Sequence, residues 1–249
     1  MSTQPLASYL FQPIGLLESC FKEKFGIPRQ PGLVKNAWAN LRLPKTEAMK
    51  EALFGLEQFS HIWLIFVFDR CYEQAWSPRV RPPRLGGDAS IGVFASRSPF
   101  RPNPIGLSVV ELIGIESEVD HWLLRLGACD IVDQTPILDI KPYLAYVDKV
   151  ESANSGWLGD VWPNLDVRFS ELALSTLEQL PDGQRLKDLI ASCLAQDPRP
   201  AYKRKREDAQ REYGLLLEMW NVKFRVEGQC AEVLKLEHSS TRGPDSLNH

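Results

Sequence analysis

Four stretches of this 249-residue chain hold the side chains with which it could do chemistry. In ASRSPFRPNPIGLSVVEL (95–112), Arg97 and Arg101 lie among Pro99, Pro102 and Pro104. Those prolines forbid a helix and cannot sit in a central strand, so the arginines are held on a stiff loop. A guanidinium held still can fork onto a carboxylate or a phosphate. Asn103, in the same loop, offers a donor and an acceptor to a base edge. In FGIPRQPGLV (25–34), Pro28, Pro31 and Gly32 make a tight turn from which Arg29 and Gln30 protrude. Gly32 allows close backbone approach of a ligand. In CDIVDQTPILDIKPYLAY (129–146), Asp139 and Lys141 stand two apart in an extended segment and so share a face. A carboxylate beside an amine is an acid/base unit or an ion pair. In QDPRPAYKRKR (196–206), Arg199, Lys203, Arg204, Lys205 and Arg206 flank Tyr202, which suits phosphate binding with stacking on a base.

Each stretch also has a plain structural reading: a proline-stiffened turn, arginines paired to nearby acids, a salt bridge, a solvated charge run. His61 reads as a core or edge histidine, and Trp63 and Trp76 as packing. Net charge is −3, yet 14 of the 29 Lys and Arg fall in residues 22–35, 78–104 and 199–206, with Glu23 and Asp88 the only acids there. An acidic protein with local basic patches can bind polyphosphate while its remainder limits indiscriminate sticking. The five cysteines and four histidines are scattered without metal-ligand spacing, so no metal site is expected. A reducing, cytoplasmic setting fits those cysteines. The N-terminal residues do not read as a signal peptide, and no apolar run has membrane length. No G-x-G-x-x-G after a strand, Walker A, G-x-S-x-G or H-E-x-x-H motif occurs.

The elements that must position these groups are mainly strands. PIGLLES, 61–68, 90–96, 105–116, 121–132 and 137–140 read as strands, and 61–68 as one buried on both faces. Residues 46–57 read as a helix capped by Thr46 and ended near Gly55. Short strands with Pro- and Gly-rich turns favour a barrel or a sandwich over residues 1–155. Residues 151–164 read as a linker. Beyond it lie a strand (165–170), helices over 171–180, capped by Ser170, and 183–196, and a hairpin turning at Glu227-Gly228. This predicts a small α+β domain over 156–240 and a disordered tail over 241–249.

PRQPGLV (28–34), GLEQFSHIWLIFVF (55–68), RPPR (81–84), GVFASRSPFRPNPIGLS (92–108) and LDIKPYL (138–144) resemble the TsaA-like (TrmO) family, and AQDPRPAYK (195–203) its bacterial two-domain members. The resemblance covers residues ~10–225 in order. It implies a small single-sheeted β-barrel N-terminal domain that binds S-adenosylmethionine, and a methyltransferase using that cofactor on N6-threonylcarbamoyladenosine beside the anticodon of tRNA. It implies a homodimer with the cofactor near the subunit boundary, and a C-terminal domain that assists tRNA binding. Carried over, the cofactor region comprises Gln30, Pro31, Gly32, Asp69, Arg70, Arg97, Leu107, Gly127, Ala128, Cys129 and Asp130. Asn103, Asp139 and Lys141 are the candidate catalytic residues. Arg101, Tyr143, Arg199, Tyr202, Lys203, Arg204, Lys205 and Arg206 are the candidate substrate-binding residues. Asp69 stands where the family often has His, and Gln134 where Gly is frequent. The contrasting reading is a non-catalytic RNA- or ligand-binding barrel.

Overall fold

The computed structural model describes residues 7–82, 85, 89–158, 164–199 and 210–239. Six strands carry the first half: β1 (Gly15–Ser19), β2 (Ala39–Pro44), β3 (His61–Val67), β6 (Ile105–Ser117), β7 (His121–Gly127) and β8 (Thr135–Pro142). They pair in the order β1-β2-β7-β6-β3-β8, and β8 returns to β1, so the sheet closes on itself as a barrel. All six pairings are antiparallel. Closure leaves no strand edge in this sheet to pair elsewhere. Alternation fills the interior: Leu41 and Leu43 of β2, Ile62 and Leu64 of β3, and Leu124 and Leu126 of β7 are almost wholly buried. Helix α1 (Glu47–Leu53) is capped by Thr46, whose hydroxyl accepts from the Met49 amide.

The sequence expectations change in several places. β3 is buried on one face only, so its outer residues Trp63, Ile65 and Val67 are half-buried. Its continuous apolar run hides this because the outer wall is itself apolar. The expected strand over 90–96 is only β5 (Ile91–Gly92), paired with β4 (Arg79–Val80), followed by a 3-10 turn over 93–95. β7 stops at Gly127, because Ala128 takes a left-handed conformation (φ 53°) that extended backbone cannot continue. α1 ends at Leu53, ahead of Gly55, whose φ is 86°. β2 alternates correctly but lies in a Pro- and Gly-rich context that masks it.

After the short helix α2 (Ala145–Asp148) comes a second sheet. It is built from β9 (Asp166–Phe169), β10 (Tyr213–Leu217), β11 (Trp220–Glu227) and β12 (Cys230–His238), in the order β10-β11-β12-β9. β9 runs parallel to β12. Helices α3 (Glu171–Glu178), capped by Ser170, and α4 (Gly183–Ala195) bury Leu177, Leu186, Leu189 and Ile190 in its core. That core also takes in Cys20, Phe21, Val34 and Ala37 from the segment between β1 and β2. The chain is thus mainly β, with a six-stranded sheet, helices and a separate mixed sheet. The expected tail over 241–249 lies outside the described residues.

Candidate functional site

The rigid loops and the outer wall of β3 and β6 enclose a cleft of about 750 Å³. Its floor is Trp63, Phe66 and Val67 of β3 with Ile105, Leu107 and Val109 of β6. Gly106 is required in this wall, because a Cβ there would sit 2.2 Å from the Phe66 ring. The rim holds five cations, Lys24, Arg29, Arg70, Arg97 and Arg101, and three carboxylates, Asp69, Asp130 and Asp148. Two basic patches far apart in sequence therefore meet at one cleft.

Each loop is pinned. Gly32, with φ 78°, donates its amide to the Ala128 carbonyl at 3.2 Å, which joins the Gln30 turn to the end of β7. Arg97 Nη1 donates to Gln30 Oε1. Arg101 Nη1 donates to the Ser96 carbonyl at 2.8 Å and the Val93 carbonyl at 3.3 Å, so this guanidinium also braces its own loop. Asn103 is exposed, and its carbonyl accepts from the Ile105 amide at 2.7 Å. The Pro104 carbonyl accepts from the Phe68 amide at 2.8 Å, fixing where β6 begins against the end of β3. Arg70 Nη2 donates to the Asp133 carbonyl at 3.2 Å.

Asp130 is the most enclosed of the three carboxylates, and Ser108 Oγ donates to it. Burial pushes its carboxyl up to about 6, against the lowering effects of the Ser108 hydroxyl and the Arg97 charge. Cys129 is wholly buried, and burial holds its thiol well above the ordinary range. It is packed in the barrel core, not presented to the cleft.

The cleft brings together Gln30, Pro31, Asp69, Arg70, Arg97, Arg101, Leu107, Asp130 and Tyr143. Gly32, Gly127, Ala128 and Cys129 are not in its lining; Gly32 adjoins the lining residue Pro31, and Gly127, Ala128 and Cys129 precede Asp130 in the chain. Asp139 and Lys141 form an exposed ion pair at 3.0 Å on the outer face of β8. Lys141 is in register with Trp63, so the pair stands one strand from the cleft floor and outside its lining. Arg199 forks onto Asp197 at 2.8 and 3.1 Å, with both side chains largely buried. Tyr202, Lys203, Arg204, Lys205 and Arg206 lie outside the described residues.

Sequence reading missed Lys24, Trp63, Phe66 and Asp148. Trp63 reads as packing, yet it lines the cleft. Its Nε1 donates to Asp148 at 3.1 Å, and its ring meets Tyr143 at 5.8 Å. The available signal was the outward register of Trp63 relative to Ile62 and Leu64. His61 is exposed, 3.0 Å from Ser60 Oγ and 6.3 Å from the Tyr143 ring. Among the described residues there is no cluster of three or more candidate metal ligands.

A closed all-antiparallel sheet, with a cleft on its flank that offers both charge signs and an apolar floor, defines a β-barrel with a small-molecule-sized cleft, joined to an α+β unit. The family model for the tRNA-methyltransferase O N-terminal domain matches residues 16–149, and that for the TrmO C-terminal domain matches residues 163–239. This chain belongs to the tRNA-methyltransferase O family. It is 45% identical over 237 residues to the tRNA (adenine(37)-N6)-methyltransferase of Escherichia coli K12, covering 93% of this chain and 99% of that one. It is 47% identical over 214 residues to a putative S-adenosylmethionine-dependent methyltransferase of Pseudomonas aeruginosa, covering 84% of this chain and 88% of the relative. The crystal structure of TrmO from Pseudomonas aeruginosa superposes with a TM-score of 0.75 at 38% identity, covering 94% of this chain and all of that one.

Proposed function

We propose that this chain transfers a methyl group from S-adenosylmethionine to N6 of the adenine at position 37 of tRNA, and that the β3–β6 cleft is where donor and acceptor meet. The observation that carries this is the cleft's donor set. When bound, S-adenosylmethionine supplies an electrophilic methyl on a sulfonium. The remaining groups of that molecule are a carboxylate, an ammonium, a ribose diol and an adenine, and the residues present fit them. Arg97 and Arg70 would hold the carboxylate, and Asp69 and Asp130 the ammonium and the diol. The stiff backbone of Gln30, Pro31 and Gly32 would read the adenine, and Leu107 and Phe66 would exclude water beside the methyl.

The preferred acceptor is N6-threonylcarbamoyladenosine. Its N6 lone pair is delocalised into a urea-like group, so reaction needs in-line placement and removal of the N–H proton. Asp139, paired with Lys141 one strand from the cleft floor, is the proposed proton acceptor, with Asn103 on the base edge and Arg101 beside the threonyl carboxylate. Tyr143 stacks on the incoming base. We assign donor binding to residues 1–155 and assistance in tRNA binding to 156–240, where the basic segment 199–206 belongs.

A homodimer fits the exposed apolar residues Ile105, Leu107 and Ile113 of β6, the first two of which also line the cleft. No helix among the described residues is long and apolar enough to cross a membrane. A cytoplasmic setting suits the substrate.

Calorimetric titration with S-adenosylmethionine tests the assignment of the cleft. Binding by the wild type is expected, with Arg97→Ala weakening it by about 1.5–3 kcal/mol through loss of a charged hydrogen bond. An unchanged affinity in Arg97→Ala would move the carboxylate elsewhere. No binding at all would leave a plain RNA-binding barrel.

A further inference from the structure

The segment 20–38 carries Lys24, Ile27, Pro28, Arg29, Gln30 and Pro31 into the cleft. It has no helix or ladder of its own, only an isolated bridge from Phe21 to Leu217. A loop of 19 residues that must hold a ligand needs outside support, or its ordering entropy weakens binding.

That support comes largely from the second sheet. Cys20, Phe21, Val34 and Ala37 are buried in its core, and Phe25 stacks on Phe224 with centroids 6.5 Å apart. The Glu23 carboxylate accepts from the Leu216 amide at 3.2 Å, and the Glu218 amide donates to the Cys20 carbonyl at 2.8 Å.

The strongest tie is one carboxylate. Glu218 Oε1 accepts from Trp38 Nε1 at 2.5 Å and from Arg185 Nη1 at 2.7 Å, while Oε2 accepts from Arg185 Nη2 at 3.0 Å. The Glu218 side chain is 14% exposed. Burial alone would raise its carboxyl, but the hydrogen bonds from Arg185 and Trp38 outweigh that and hold it below its ordinary value. Glu218 sits in the turn between β10 and β11 with φ 55°. Glycine or asparagine would adopt that conformation with less strain. A glutamate kept there at a conformational cost points to a task for its carboxylate.

We infer that the Glu218 carboxylate, shared between Trp38 and Arg185, is a brace by which the second sheet positions the donor-binding loop, and that Glu218 and Trp38 are positioning residues for S-adenosylmethionine. This rests on the reading of the cleft given above. The second sheet then sets donor affinity as well as any contact it makes with tRNA. On the barrel side the same loop is tied by Gly32 to Ala128, by the Cys129 amide to the Ala37 carbonyl at 3.1 Å, and by Lys22 to Asp133 at 3.0 Å. The donor loop is therefore clamped between two bodies, and only one of them holds the cleft floor.

Two variants of the full chain separate positioning from bulk stability. Trp38→Phe keeps an aromatic ring at this half-buried position and removes the N–H. Glu218→Gly removes the carboxylate and relieves the left-handed strain, so its melting temperature should fall little. Each should raise the Kd and KM for S-adenosylmethionine about three- to tenfold, with kcat at saturating donor and the KM for tRNA within twofold of wild type. Hydrogen exchange over residues 22–33 should quicken. Glu218→Gln, which keeps one acceptor for Trp38, should fall between wild type and Glu218→Gly. Donor affinity equal to wild type in both Trp38→Phe and Glu218→Gly would overturn the brace, whatever their melting temperatures. A wild type that does not bind S-adenosylmethionine would instead overturn the reading of the cleft, and the brace with it.

Discussion

Asp130 is the residue at which the cleft's electrostatics can be read in solution. Its carboxyl titrates at about 6 in the folded chain, against 3.8 for an unperturbed aspartate. The folded chain thus binds this proton more tightly than the unfolded chain. The resulting contribution to stability is present below about pH 4 and is lost as pH rises through about 6. Asp130→Asn should remove that part of the slope in a pH series of denaturant melts. Ligand binding should run the other way, because only the carboxylate is free to accept from a ribose hydroxyl or an ammonium. Donor affinity should rise up to about tenfold from pH 5 to pH 7 in the wild type and stay flat in Asp130→Asn. A wild-type profile as flat as the variant's would remove Asp130 from the donor site. Among single residues much was legible in the sequence. Arg97, Arg101 and Gln30 stand out because proline fixes their loops. Trp63 and Phe66 did not, because an apolar residue on a strand looks the same whether it faces a core or a cleft.

Among the elements, turn chemistry decides where strands stop. Ala128 and Gln134 both adopt left-handed backbone, at φ 53° and 64°, around the turn from β7 to β8. The Gln134 amide donates to the Leu17 carbonyl at 2.7 Å, so this conformation is imposed by closure of the sheet onto β1. A left-handed non-glycine costs about 1–2 kcal/mol, and glycine gives back about 0.5–1 through unfolded-state entropy. Gln134→Gly should therefore stabilise the chain by up to about 1 kcal/mol, seen as a rise of about 2 °C in a thermal melt. A lower melting temperature would mean that the Gln134 side chain contributes more than its backbone costs. Local pattern alone placed β3, β6, β11, β12 and both long helices nearly correctly. It missed β2 and β10 because their identity as strands rests on partners distant in the chain. β2 pairs with β7, and β10 leans on β11 and the Phe21 bridge. Nor does local pattern show that Phe21, Val34 and Ala37 are buried in the core of the second sheet. A core shared between distant segments leaves no mark in a one-dimensional pattern.

For the whole molecule, tRNA recognition is expected to use two surfaces, a cleft with mixed charge and a basic segment beyond α4. Neutralising Lys203, Arg204, Lys205 and Arg206 together should weaken tRNA binding and leave donor affinity unchanged. It should also flatten the salt dependence of tRNA binding, by about 0.7–0.9 log unit for each phosphate no longer neutralised. Coincident slopes for variant and wild type would make that segment a solvated charge run. Methyl transfer to N6 of a modified adenine is read directly by nucleoside mass spectrometry. Two tRNA samples, one carrying threonylcarbamoyladenosine at position 37 and one with unmodified adenine there, are each incubated with the protein and S-adenosylmethionine. The expected result is a methyl gain on the threonylcarbamoyladenosine of the first sample and none on the adenine of the second, because Arg101 is assigned to a threonyl carboxylate that the second sample lacks. Equal methylation of both samples would contradict the proposed acceptor, and methylation of neither would contradict the activity itself.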